Sequence, residues 1–251
     1  MAAVTAGGGS GQPRYSLVIP AYNEERLLGR LLDSVDTARA AYGPPEAIEV
    51  IVADNLSSDR TGQIAAERGC RVVTARKRVI AAVRNAGAAV ARGEVLAFID
   101  ADSQVHPRTF VDIDQALASG RVVAGATGVN LERWSLGIAL TFFSVMPIIW
   151  LTGMDAGVVF CRRKDFEALG GYDDTRLVAE DVAFLLSMRR LGKQRGQRLA
   201  RVTTAKAVAS TRKFDEFGDW HFFPFLVAGS RMLINRDITA FADKYWYKPN
   251  R

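Results

Sequence analysis

Asp100-Ala101-Asp102 follows directly on the apolar run VLAFI. In an extended segment residues i and i+2 point the same way, so two carboxylates would converge from one face. Like charges at that spacing repel, and a divalent cation is the simplest way to neutralise them. Mg²⁺ and Mn²⁺ take oxygen ligands and are often shared between one or two carboxylates and substrate phosphates. The plainer alternative is a solvated turn, or a cap for a helix opening near Pro107. Asp54 ends a second apolar run, IEVIVA. A carboxylate there can accept from a base or ribose, as acidic residues at strand ends do in nucleotide-binding folds; equally, it suits a turn or N-cap in DNLSSD. Tyr22 offers a ring that could stack on a base or pack at a sheet edge. Arg76, Lys77, Arg78 and Arg84 could neutralise phosphates or form a solvated basic face. No G-x-G-x-x-G follows the first apolar run and no G-x-x-x-x-G-K-[ST] occurs. Phosphate charge would then fall to a cation and to basic side chains.

These residues need a frame. Tyr15–Pro20 is a short β-branched run that reads as a buried strand. Asn23 offers an N-cap, and Leu27, Leu28, Leu31, Leu32 and Val35 follow at helical spacing. Gly43-Pro44-Pro45 ends that unit. Ile48–Ala53 reads as the second strand, Ser57–Arg68 as the second helix and Arg71–Thr74 as a third strand. Val79, Ala82, Val83, Ala86 and Val90 stripe a third helix, and Val95–Ile99 is a fourth strand. Strands alternating with helices predict an α/β fold with a mostly parallel, Rossmann-like sheet. Ligands bind such sheets beyond the carboxyl ends of the strands, where Tyr22, Glu24, Asp54, Asp100 and Asp102 fall.

The chain has 251 residues, 49% apolar and 24% charged. That composition excludes a disordered or collagen-like protein, and Gly and Pro throughout exclude a coiled coil. A net charge of +6 favours anionic partners or serves ordinary solubility. No nucleic-acid motif accompanies it, and aromatics do not interleave with the basic cluster 76–84. Cys70 and Cys161 make neither a disulfide framework nor a zinc site and read as buried free thiols, which suits a reducing cytosol. His106 fits a helix entry, and His221 fits packing among aromatic rings.

Residues 1–13 (MAAVTAGGGSGQP) read as a flexible tail, with none of the features of a signal peptide. Trp134 to Met154 is an uncharged stretch of 21 residues. Three readings stay open for it: a membrane span kinked at Pro147, a buried or subunit-interface helix, and a helix dipping into a membrane surface. The last 50 residues carry Trp220, Phe222, Phe223, Phe225, Tyr245, Trp246 and Tyr247, with Lys244 and Lys248 beside the last three. Trp and Tyr beside Lys suit a headgroup boundary; a buried helix pair suits them as well.

The motifs LVIPAYNEE, VIVADNLSSDRT, AAVRNAGAAVARGEVLAFIDADS and DAGVVFCRRKDFEALGGYDDTRLVAEDVAFLLSMRRLG, in this order, resemble the family 2 glycosyltransferases of the GT-A fold. The resemblance covers roughly residues 14–195. It implies inverting, non-processive transfer of one sugar from a nucleotide-diphosphate sugar, UDP- or GDP-linked, with Mn²⁺ or Mg²⁺. Pro20, Tyr22 and Glu24 would line the nucleoside, with Tyr22 stacking on the base, and Asp54 would accept from the base. Arg84 would lie near the phosphates or base, Asp100 and Ala101 at the ribose, and Asp102 on the metal. Ala179-Glu180-Asp181 looks like the family's x-E-D motif, so Glu180 and Asp181 are the expected catalytic pair, with Asp181 as general base. Without the resemblance, Asp181 reads equally as a catalytic carboxylate or as a helix-start charge. Gly170-Gly171 fits a tight turn under the acceptor, or a plain helix stop.

The chain departs from the family pattern at Val79, where Gly is frequent. It also departs after KAVAS, where many members carry a metal-binding His and this chain has Ser210-Thr211-Arg212-Lys213. Arg212 and Lys213 are therefore expected to neutralise the diphosphate directly, or else to be simply exposed. Q-x-x-R-W is absent. The implied organisation is a tail at 1–13, a nucleotide-sugar half at 14–128, an acceptor half at 129–213 and an aromatic C-terminal helical, acceptor-side segment at 214–251. A lipid-linked acceptor, a membrane-surface contact, a homodimer and a cytoplasmic site on the inner face of the membrane complete the expectations. The alternatives are a nucleotidyltransferase of related fold and a non-catalytic membrane-associated binding module.

Overall fold

A computed structural model of the chain describes residues 11–152, 155, 157–177 and 179–220. The expected tail up to residue 10, His221 and the later aromatics lie outside the described residues. Seven strands form one sheet in the order β3-β2-β1-β4-β6-β5-β7. They are β1 (Tyr15–Ala21), β2 (Ile48–Asp54), β3 (Arg71–Thr74), β4 (Val95–Phe98), β5 (Val122–Leu131), β6 (Val159–Arg162) and β7 (Arg198–Ala209). The first four run parallel and β5 pairs parallel with β7, while β6 runs antiparallel between β4 and β5. The sheet is thus mostly parallel, as the alternation of strands and helices predicts.

The helices are α1 (Leu28–Tyr42), α2 (Thr61–Glu67), α3 (Ile80–Ala89), α4 (Thr109–Ala118), α5 (Leu136–Thr152), α6 (Arg163–Leu169), α7 (Glu180–Gln194) and α8 (Arg212–Phe217). Alternate β1 side chains feed two cores. Leu17 and Ile19 pack with α1 and with Phe110 and Ile113 of α4. Val18 packs on the other face with Ala81 and Ala88 of α3, and with Phe184, Leu185 and Met188 of α7. Period-2 alternation on a two-faced sheet is the cause.

Some boundaries differ from expectation. Asn23 does not cap α1: its φ is 53°, and its side-chain oxygen accepts the Ser58 N–H at 2.8 Å. Asn tolerates this left-handed conformation better than most residues, and the chain uses it to join the β1 and β2 loops. The second helix starts at Thr61, later than Ser57, because the intervening loop is held by side chains. Ser57 N–H points at Asp54 (3.3 Å), and Asp59 accepts from Thr61 N (2.9 Å). His106 sits at the helix entry, its Nδ1 accepting the Arg108 N–H ahead of α4. Both cysteines are free. Cys161 is buried; Cys70 is only half-buried, and desolvation pushes its thiol up to about 11.

Among the described residues, no helix is long and apolar enough to cross a membrane. Helix α5 seats Ile138 fully, while Trp134, Leu136, Leu140 and Phe143 remain exposed.

Gly87 is where α3 meets β1. A Cβ there would come within 2.4 Å of Val18 Cγ1. Gly87→Ala gains about 1 kcal/mol of helix propensity but overpacks a stiff core side chain, which typically costs about 1–3 kcal/mol. Net destabilisation in a urea titration is the expected result, and a more stable variant would contradict this packing.

Candidate active site

In this strand order the chain leaves β1 first towards β2 and β3, then returns to its other side as β4. The crevice beyond the carboxyl ends of β1 and β4 is the switch point where open α/β sheets bind ligands. Tyr22 and Glu24 follow β1, and Asp100 and Asp102 follow β4. The amino end of α7 brings Glu180 and Asp181, and that of α8 brings Arg212.

Two arginines organise the acids. Arg84, on α3 and 3% exposed, reaches Glu180 Oε1 at 2.7 Å, Asp100 Oδ1 at 2.9 Å and Asp181 Oδ1 at 3.1 Å. Burial alone would disfavour its charge, but Asp181, Asp100, Tyr172 and Glu180 outweigh that and hold it protonated. Arg212 forks onto both oxygens of Glu24, at 2.6 Å each, and meets Asp102 Oδ2 at 3.2 Å. The two aspartates of D-A-D are therefore divided between two guanidiniums, with Ala101 buried between them. Burial raises the Asp102 carboxyl above its usual range, Arg212 opposes that shift and Asp100 adds to it. Burial lowers Lys213, which Asp102 partly offsets.

Asp181 is the most perturbed acid of the crevice. Desolvation lifts it to about 6. Arg84 pulls it down, Glu180 and Asp100 push it up, and a hydrogen bond from Tyr172 lowers it. Tyr172 Oη donates to Asp181 Oδ1 at 3.0 Å, and its ring stacks on Phe184 with centroids 4.3 Å apart. Asp181 also lines a small cleft of about 20 Å³ together with Arg84, Asp100, Ser103, Gly157 and Ala207. Ala179, two residues before it, has φ 57°. A left-handed conformation in a non-glycine residue stores strain of about 1–3 kcal/mol, and here it sets the start of α7.

Asn85 and Tyr172 were not among the candidates from sequence. Asn85 Nδ2 donates to Tyr172 O (2.8 Å), and its Oδ1 accepts from Tyr172 N (2.9 Å). It thereby clamps the backbone of the residue that donates to Asp181. Gly171 allows this approach, with φ 82° and room for a Cβ blocked by Asn85 Oδ1 at 2.6 Å. The adjacency of Arg84 and Asn85, and Tyr172 after the paired glycines, were the available signals.

Of the nucleoside-side candidates, Glu24 belongs to the Arg212 group, whereas Pro20, Tyr22 and Asp54 make other contacts. Pro20 is buried within β1. The Arg78 guanidinium lies over the Tyr22 ring, 4.9 Å from its centroid. Asp54 closes a turn onto Ser57, and Asn55 Nδ2 holds the loop after β3 through Ala75 O at 2.6 Å.

No group of three or more His, Cys, Asp or Glu among the described residues is placed to hold a metal by itself. The donors present are hard oxygens. Asp102 is one, and Asp100, two residues away with 52% of its side chain exposed, is a second. One or two carboxylates, completed by phosphate oxygens and water, suit Mg²⁺ or Mn²⁺, so these residues fit such an ion.

The family model described as Glycosyl transferase family 2 matches residues 16–148, more than half of the chain. An undecaprenyl-phosphate 4-deoxy-4-formamido-L-arabinose transferase from Pseudomonas paraeruginosa is 30% identical over 172 residues, 59% of this chain and 50% of that protein. The chain spans about half the length of the first curated relatives it matches. Among solved structures, the mannosyltransferase PcManGT from Pyrobaculum calidifontis, in complex with GDP-Man and Mn²⁺, superposes with a TM-score of 0.64 at 19% identity, covering 89% of this chain and 71% of that one. TarS 1-349 from S. aureus, in complex with UDP-GlcNAc, gives 0.60 at 17% identity, covering 92% and 70%. Likeness at that identity establishes the GT-A architecture, and the family match adds kinship in sequence: the chain belongs to glycosyl transferase family 2.

Proposed function

We propose that this protein is an inverting glycosyltransferase that moves one sugar from a nucleoside-diphosphate sugar to an acceptor hydroxyl. The observation that carries the reading is the placement of Asp181. It is a carboxylate with a pKa lifted to about 6, hydrogen-bonded by Tyr172 and lining a cleft that Asp100 also lines. The nucleoside would lie along Pro20, Tyr22, Glu24 and Asp54, with Asp100 and Ala101 at the ribose and the diphosphate between Asp102 and Arg212.

In this mechanism Asp181 takes the proton of the acceptor hydroxyl as the oxygen attacks the anomeric carbon from the face opposite the diphosphate. One displacement with no covalent intermediate inverts that centre. Arg84 keeps Asp181 ionised near neutral pH, and Glu180, held by Arg84, completes the charge balance. A divalent ion held by Asp102, with Asp100 beside it, would supply positive charge that offsets charge developing on the departing diphosphate. Arg212 and Lys213 add fixed positive charge on the same side. The lipid-phosphate name of the Pseudomonas relative and the exposed Trp134, Leu136, Leu140 and Phe143 both favour a lipid-linked acceptor met at a membrane surface from the cytoplasmic side.

A thermal-shift panel of UDP-, GDP- and dTDP-sugars, with and without Mn²⁺, tests the donor half of this reading. Ligand at about 100 times its Kd adds about 2.7 kcal/mol to the folded state. The expected outcome is a clear rise in Tm for a UDP- or GDP-sugar, larger with Mn²⁺. If no nucleotide sugar shifts the transition under either condition, the reading fails.

A further inference from the structure

Arg212 sits where a cation and a diphosphate would have to go. Its fork takes both oxygens of Glu24, which is only 8% exposed, and one of its nitrogens stands 3.2 Å from Asp102 Oδ2. One guanidinium thus bridges two carboxylates from different strand ends, one of them the carboxylate best suited to a metal, while the Lys213 ammonium acts on both from nearby. The backbone that carries it is fastened on both sides. Thr211 is 2% exposed, and its N–H donates to Glu132 Oε2 at 3.2 Å. At the other end of α8, Arg133 grips Asp215 Oδ1 (2.8 Å) and Asp219 Oδ1 (2.6 Å). The helix is therefore anchored, while the long side chain can exchange partners by rotamer changes alone.

A guanidinium beside Asp102 repels any second cation that approaches the same carboxylate. A diphosphate reverses that relation, because its oxygens accept the fork as a carboxylate does. We propose that Arg212 is a two-position residue that couples cation and donor binding. Seated on Glu24 and Asp102, it disfavours binding of a free divalent ion; transferred to the donor's diphosphate, it releases Asp102 to the ion that arrives with the donor. This inference rests on the glycosyltransferase reading above and deepens it, since it ties the order of ligand entry to where the Arg212 guanidinium is seated, with Lys213 as a fixed charge beside it.

The test is titration calorimetry with Mn²⁺ alone, with UDP or GDP alone, and with both together, on the wild type and on Arg212→Gln. Removing one unit charge a few ångströms from the ion, in surroundings of effective dielectric about 20, should tighten Mn²⁺ binding in the absence of nucleotide on the order of tenfold or more. The same variant should bind the nucleoside diphosphate more weakly in the presence of Mn²⁺. The factor by which nucleotide improves Mn²⁺ affinity should therefore shrink. Arg212→Lys guards against a folding defect: it keeps a charge for buried Glu24 but cannot span two carboxylates with a planar fork, so its free Mn²⁺ affinity should fall between the other two. Unchanged or weaker Mn²⁺ binding in both folded variants overturns the two-position role and leaves the functional reading standing. A wild type that binds neither nucleoside diphosphate, even with Mn²⁺, overturns both.

Discussion

Replacing Asp181 by Asn should lower kcat by about 10²- to 10⁴-fold, the usual contribution of a positioned general base, while leaving donor binding and the fold almost intact. The amide keeps the size of the carboxylate and can still accept from Tyr172 Oη, 3.0 Å away in the native chain. It cannot take a proton. Stability should not suffer, because this carboxyl lies above its usual pKa in the folded chain. A raised carboxyl costs the fold stability progressively as pH rises from its ordinary value of 3.8 to about 6, and the whole cost is present above that. Arg84 meanwhile keeps Asp100 and Glu180 as partners. A Tm at pH 8 equal to or slightly above that of the wild type, with turnover nearly abolished, separates a base from a merely structural acid. Retention of full turnover would remove Asp181 from the chemistry.

The same carboxyl sets a pH profile. Activity needs it unprotonated, so kcat/KM should fall as pH drops below about 6 and level off above. The Tyr172 hydrogen bond favours the charged form. Tyr172→Phe should therefore move this acid limb to higher pH, and Asn85→Ala should do the same more weakly, since Asn85 holds Tyr172 only through its backbone. Below pH 6 both variants should lose more activity than they lose at pH 8.

The first half of the fold was legible because each element carries its own signal. Leu17, Val18 and Ile19 are a continuous apolar run because β1 is covered on both faces. Leu28, Leu31, Leu32 and Val35 form the one stripe that α1 buries. The second half was less legible. The place of β6 between β4 and β5 depends on antiparallel pairing of Phe98 with Val159 and of Ala124 with Cys161, contacts that no local pattern encodes. In the crevice, the strand-end acids could be singled out because D-A-D and the aspartate of IEVIVAD follow apolar runs. Which partner each acid takes could not. The split of Asp100 to Arg84 and Asp102 to Arg212 is set by where α3 and α8 dock. Tyr172 drew attention only through the glycines before it, and Asn85 only as the neighbour of Arg84. Their joint action on Asp181 appears once α3 and the loop after α6 are seen in contact. Asn23 misled for a related reason: a residue that can cap a helix can also adopt φ 53° and bond another loop.

Arg84→Met should be the most destabilising of these changes. The side chain is 3% exposed, and its nitrogens stand within 2.7–3.1 Å of three carboxylates. Methionine matches the stem but leaves Glu180, only 12% exposed, and Asp181 facing Asp100 with no cation between them. Breaking a buried pair by removing one partner costs about 3–5 kcal/mol, and three acids share this one partner. For a chain of this size each kcal/mol moves Tm by roughly 2–4 °C, so a fall of about 6–20 °C is expected at pH 8. The pH dependence gives the cause. In the native chain Arg84 lowers Asp181; without it the acids must take up protons to coexist. The variant's deficit should therefore shrink as pH falls from 8 to 5, because protonation removes the repulsion that the guanidinium used to cancel. Arg84→Lys should recover part of the stability, since the charge returns without the fork that reaches Glu180 and Asp100 together. A deficit equal at both pH values, with no gain from lysine, would assign the loss to packing against Tyr172, whose ring centroid lies 5.3 Å from the guanidinium carbon, and would take Arg84 out of its charge-balancing role.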